Sequence, residues 1–208
     1  MASEETWTVE SALAGLDSLR PLTHPTPTST VPLAFLHIID RLKHIPRTGW
    51  VVEGVEKPET IASHMYRMSI LAMLCPDTSL DRSKCMKMAL VHDIAESVVG
   101  DFTPMDPISK EYFSTKLLGK INPAVAKELV ELFEEYEAGT TKEAVFVKDI
   151  DVYDMLLQAF EYEKESKGKK SLERFFESES RLTTDYVKQW NRELREERDE
   201  FWKSIKKS

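Results

Sequence analysis

The chain has 208 residues and a formal net charge of −8, with 31% charged and 41% hydrophobic residues and only 7 glycines. That acidic balance excludes a protein that grips a nucleic acid polymer mainly through its phosphates, since such binding needs concentrated Lys and Arg to release counterions. The length suits one domain, no stretch reaches the roughly 18 apolar residues of a membrane span, and the wealth of Leu, Met, Ala, Glu and Lys favours helix over sheet.

Residues 1–32 are expected to form an extended N-terminal segment, because LRPLTHPTPTSTVP is rich in Pro, Thr and Ser. The opening MASEETWTVESALAGL carries acids early and lacks the basic-then-apolar order of a secretory signal, so a cytoplasmic protein is expected. From Leu33 to Ile45 the apolar positions Phe35, Ile38, Ile39 and Leu42 recur at helical spacing, and Pro46 stops the run. The stretch RTGWVVEGVEKPET reads as a loop. It leads to a helix starting near Pro58 or Thr60, which lines up Ile61, Met65, Met68 and Ala72 on one face with His64 beside it.

The next helix is predicted from Arg82 to about Val99, burying Met86, Leu90, Val91 and Ile94 and ending at Gly100. Further helices are expected at Ser109 to Lys120, Pro123 to Glu137, Lys142 to about Ser166, and Ser171 to the C-terminus. The last has a strongly charged face, NRELREERDEFWKSIKK, which reads as solvated rather than as a nucleic-acid contact. The domain proper should span 33–190, with 191–208 as the charged end of that helix. Cys75 and Cys85 belong to no CxxC or zinc pattern and read as ordinary thiols.

Four residues stand out against this helical background: His64, the adjacent pair His92 and Asp93, and Asp151, with Asp149 as a competitor for the last place. Two imidazoles and two carboxylates on separate apolar segments make a suitable set for one divalent metal ion. In a continuous helix Glu96 would sit above Asp93 by three residues and above His92 by four, while His92 and Asp93 would diverge by about 100° and reach an ion lying between them. Asp151 lies one turn from Val147 and from Met155, and a carboxylate in an apolar stripe must be neutralised by a cation or by a proton. A lone core histidine packs more often than it ligates, and a lone helical Asp is more often solvated. The joint occurrence of all four argues for a site.

The segments RTGW at 47–50, PETIASHMYRM at 58–68, LVHDIAESVVGDFTP at 90–104 and EAVFVKDIDVYDMLLQAFEYE at 143–163 resemble the HD-domain metal-dependent phosphohydrolase superfamily, and more closely its small 5'-deoxynucleotidase group. The resemblance implies an all-α HD-domain bundle of about six or more helices. It implies metal ligation by His64, His92, Asp93 and Asp151, the last preferred to Asp149 because Lys148 precedes it by three residues. It assigns catalytic roles to Glu96 and Asp101 and substrate binding to Arg47 and Trp50.

By the same resemblance, the reaction is hydrolysis of 2'-deoxyribonucleoside 5'-monophosphates, the cofactor is manganese or cobalt, and the assembly is a homodimer. A one-metal site is favoured because His24, His37 and His44 lie in no second HD-like context. Two alternatives stand beside this expectation. One is an HD-type hydrolase of another nucleotide, such as a triphosphate or a signalling nucleotide. The other is a metal-stabilised interaction module without catalysis.

Overall fold

A computed structural model describes residues 33–100 and 123–206. Among these residues the chain is built from eight α-helices in the order α1 (Leu33–Asp40), α2 (Thr48–Val52), α3 (Ile61–Met73), α4 (Arg82–Val91), α5 (Glu96–Val99), α6 (Pro123–Ala138), α7 (Lys142–Glu165) and α8 (Asp185–Ile205). Short 3₁₀ segments follow α1, at Arg41–Lys43, and precede α8, at Glu173–Arg181. The expected all-α class is what forms, and the nearest approach to a sheet among the described residues is an isolated antiparallel bridge between Pro46 and Thr60. The expected N-terminal segment to residue 32, with His24, and the helix expected at Ser109 to Lys120 lie outside the described residues.

Three expectations are corrected. RTGWVV is not all loop, because Arg47 caps the one-turn helix α2 and its carbonyl accepts from Trp50 and Val51 at 3.1 and 3.3 Å. The helix predicted over 82–99 breaks at His92–Ala95, and Leu90, expected in the core, lies on its outer face at 49% exposure. The helix predicted from Ser171 onward is interrupted at Leu182–Thr184, and α8 begins only at Asp185.

By their internal contacts the described residues fall into two compact units. The first comprises 33–65, 91–100 and 123–133, and the second 66–90 and 134–206. In the first, α1 and the 3₁₀ turn after it pack on α5. Ile38, Leu42, Trp50, Ile61, Met65, Val91 and Ile94 are buried. The Pro46–Thr60 bridge is closed on both sides by Arg47 N–H donating to the Glu59 carbonyl at 3.0 Å and Ile61 N–H donating to the Ile45 carbonyl at 3.1 Å. That pairing holds the start of α2 beside the start of α3.

In the second unit α7 packs on the 3₁₀ segment and on α8. Phe146, Ile150, Leu156, Phe160, Leu172, Phe176, Val187 and Leu194 are buried. Thr141 caps α7 by accepting from Ala144 N–H at 3.1 Å, and Thr183 and Thr184 open α8 with both backbone N–H groups on the Asp149 carboxylate.

Candidate metal centre

The sequence ALVHDIAES carries strong helix formers, yet the regular helix stops at Val91 and resumes at Glu96. Between them the backbone tightens: Ile94 N–H donates to the Val91 carbonyl at 3.0 Å, Glu96 N–H to Asp93 at 3.0 Å, and Ser97 N–H to Ile94 at 3.2 Å. Bonds between residues three apart eclipse side chains at that spacing, so Glu96 stays over Asp93. The Ser97 hydroxyl adds a bond to the Ile94 carbonyl at 2.7 Å. Gly100 ends α5 with φ of +88°, a conformation that L side chains adopt rarely, and its N–H donates to Glu96 at 2.8 Å.

The consequence is convergence. His92 Nε2 lies 3.2 Å from Asp93 Oδ2, although the two residues are adjacent and would diverge in a straight helix. From α3, His64 brings its Nε2 to 3.9 Å from the same oxygen. The two imidazole rings meet edge to face, with centroids 5.4 Å apart and planes inclined by 69°. One donor atom each from His64, His92 and Asp93 falls within 4.8 Å of the others.

Both histidines are buried, at 0% and 1% exposure, and the Asp93 side chain is 12% exposed. Arg47 closes the cluster by donating from a terminal guanidinium nitrogen to Asp93 Oδ2 at 3.2 Å. Burial pushes the Asp93 carboxyl up, but His92, Arg47 and His64 together outweigh it and hold the group well below the ordinary carboxylate value. Asp93 is therefore an anion at neutral pH.

Two imidazole nitrogens and one carboxylate oxygen, drawn this close and largely shielded from water, form a donor set that suits a divalent first-row ion. His64, His92 and Asp93 could hold one. Glu96, one turn beyond the motif, is buried at 6% exposure, so a second carboxylate accompanies this segment. Trp50 is 2% exposed and its indole Nε1–H donates to Glu59 Oε1 at 3.0 Å. Sequence reasoning gave Glu59 no definite role, and its position just after Pro58 and before the first residue of a helix was the available signal.

The remaining expected residues have separate settings. Asp151, in the second unit, is half-buried on α7 and accepts from the Tyr136 hydroxyl at 2.9 Å. Its competitor Asp149 is committed to the start of α8, where its carboxylate accepts from Thr183 N–H at 3.0 Å, from Thr184 N–H at 2.6 Å and from both threonine hydroxyls. Asp101 lies outside the described residues.

Known proteins resemble this chain over most of its length. The HD domain family matches residues 39–191. The 5'-deoxynucleotidase hdd1 of Schizosaccharomyces pombe is 46% identical over 189 residues, covering 86% of this chain and 94% of that protein. The 5'-deoxynucleotidase HDDC2 of Homo sapiens is 43% identical over 153 residues, covering 70% of this chain and 75% of that protein. Among solved structures, HD domain-containing protein YGK1 superposes with a TM-score of 0.67 at 32% identity, over 94% of this chain and 99% of that one. Convergent His64, His92 and Asp93, a match spanning most of the chain and relatives above 40% identity lead to one conclusion: the chain belongs to the HD domain family.

Proposed function

We propose that this protein is a metal-dependent 5'-deoxynucleotidase that hydrolyses 2'-deoxyribonucleoside 5'-monophosphates to deoxyribonucleosides and phosphate. The observation that carries the proposal is the convergence of His64, His92 and Asp93 on one small volume, in a chain whose relatives bear that name. Asp151 joins as the fourth ligand on its sequence pattern, three residues after Lys148, and the commitment of Asp149 to Thr183 and Thr184 supports that choice. Manganese or cobalt is the proposed ion, on the resemblance of the motifs. When bound, a divalent ion supplies Lewis acidity toward the phosphate and lowers the pKa of water.

The protein's own groups do the rest. Arg47, whose guanidinium already reaches the cluster, offsets phosphate charge. Glu96 takes the proton of the attacking water as its oxygen bonds to phosphorus, and the bond to the 5'-oxygen breaks. Asp101 returns a proton to that oxygen or meets the sugar. Trp50 is assigned to the nucleotide end of the site, and its burial and its bond to Glu59 support a role in shaping that wall more than in open stacking.

The partner is a small nucleoside monophosphate, and no nucleic acid polymer or membrane is involved. No helix among the described residues is long and apolar enough to cross a membrane. A homodimer is the proposed assembly, on the resemblance of the motifs.

The test is a phosphate-release panel on metal-stripped protein reloaded with manganese, cobalt, zinc or magnesium. Deoxyribonucleoside and ribonucleoside mono-, di- and triphosphates serve as substrates. Preferential release from the deoxyribonucleoside monophosphates is expected. Release only from triphosphates, or none with any metal, would overturn the assignment.

A further inference from the structure

Glu59 stands where three features of the first unit meet. Its backbone carbonyl accepts the N–H of Arg47 at 3.0 Å, beside the Pro46–Thr60 bridge. Its side-chain Oε1 accepts the indole N–H of the buried Trp50 at 3.0 Å. A carboxylate oxygen of the same residue lies within 4.8 Å of a ring nitrogen of His64.

Each contact has a physical effect. A hydrogen bond from a buried indole to a carboxylate is charge-assisted, and Trp50 is packed too tightly to follow a wandering partner. The carboxylate is thereby held in place. A fixed negative charge this near an imidazole favours the orientation that turns a ring N–H toward it, and so biases which nitrogen is presented to an ion. The backbone contact acts on the other side, because it anchors the segment from which Arg47 reaches Asp93.

We infer that Glu59 is a positioning residue of the metal centre, one that aligns His64 for the ion and, through Trp50 and the Arg47 backbone, sets the grip on the substrate phosphate. The substrate half of this inference rests on the proposed deoxynucleotidase activity; the metal half does not.

The experiment compares metal-stripped wild type, Glu59→Ala, Glu59→Gln and Trp50→Phe. Manganese or cobalt binding is followed by calorimetry, the fold by circular dichroism, and KM and kcat by phosphate release. Glu59→Ala should weaken metal binding by about 10–100-fold and raise KM more than it lowers kcat. Glu59→Gln keeps an acceptor oxygen and should lose less. Trp50→Phe, which leaves the carboxylate without its buried anchor, should move metal affinity in the same direction, and adding it to Glu59→Ala should change little.

A role confined to packing would alter melting temperature and leave metal affinity untouched. Wild-type affinity in a folded Glu59→Ala would overturn the inference, as would a wild type that takes up no metal. If Glu59→Ala fails to fold, wild-type affinity in both Glu59→Gln and Trp50→Phe has the same force. A wild type that binds metal but releases no phosphate from any nucleotide refutes the functional proposal, and the affinity comparison still decides the place of Glu59.

Discussion

The carboxylate of Glu163 is fully buried and accepts four hydrogen bonds in the second unit. Arg198 donates from Nε at 2.6 Å and from a terminal nitrogen at 2.8 Å, Trp202 from its indole at 3.0 Å, and Leu172 from its backbone at 2.6 Å. The Arg198 side chain is 4% exposed and stacks on Phe176, its guanidinium carbon 4.2 Å from the ring centroid. Glu163→Ala leaves that guanidinium buried with only the more exposed Glu173 opposite it. Breaking a buried pair from one side costs about 3–5 kcal/mol. For a chain of this size each kcal/mol lowers Tm by about 2–4 °C, so a fall of roughly 6–20 °C is expected.

Arg198→Met should cost a similar amount, because it strands the carboxylate. The double variant Glu163→Ala with Arg198→Met removes both charges. It should be less damaged than the sum of the two singles, retaining mainly the loss of acceptors for Leu172 N–H and Trp202, about 1–3 kcal/mol for an unsatisfied buried donor. Urea unfolding followed by circular dichroism measures all four proteins. Single variants costing under about 1 kcal/mol, or a double variant equal to the sum, would refute the account of this pair.

The remaining predictions concern the site, its metal and the acid limit of stability. Glu96→Gln should lower kcat by about 10²–10⁴-fold with the fold retained, as loss of a positioned proton acceptor does; unchanged kcat in phosphate release would remove Glu96 from the chemistry. Metal at a hundred times its Kd should stabilise wild type by about 2.7 kcal/mol and His92→Ala by far less, read as the Tm difference between loaded and stripped protein. Asp149→Ala should lower Tm by leaving the N–H groups of Thr183 and Thr184 without their acceptor, at about 1–3 kcal/mol for an unsatisfied buried donor, and leave metal affinity alone, whereas Asp151→Ala should do the reverse; calorimetry and melting of the two variants would expose an exchange of roles. Glu179 is held below its ordinary value of 4.5 first by its bond from Arg195. A carboxyl depressed by folding contributes stability above its unfolded pKa and loses it as pH falls through the folded one. Glu179→Gln should therefore flatten the decline of Tm as pH falls through and below 4.5, and a decline parallel to wild type would count against the pair.

Helical periodicity and punctuation suffice for much of this molecule. Spacing alone places Ile61, Met65, Met68 and Ala72 on one face, and all four are buried. His64, His92 and Asp93 stand out through their joint occurrence beside apolar stripes, where an unpaired charge is costly to bury, so residue types along the chain mark a candidate site. Those are local properties, carried by a residue and its near neighbours along the chain.

What needed the folded molecule depends on groups far apart in sequence. Local pattern allowed a helix unbroken to Val99, and the turn at His92–Ala95 emerges where α5 packs on α1 and its 3₁₀ turn. The motif resemblance favours Asp151 over Asp149 through Lys148, and only the fold shows Thr183 and Thr184, more than thirty residues onward, donating to the Asp149 carboxylate. Trp50 read as a loop residue, and its burial and bond to Glu59 follow from the bridge that draws Pro46 to Thr60. Hydrogen-bond partners and burial are decided by which distant segments meet, and a linear pattern of polarity holds no record of that meeting.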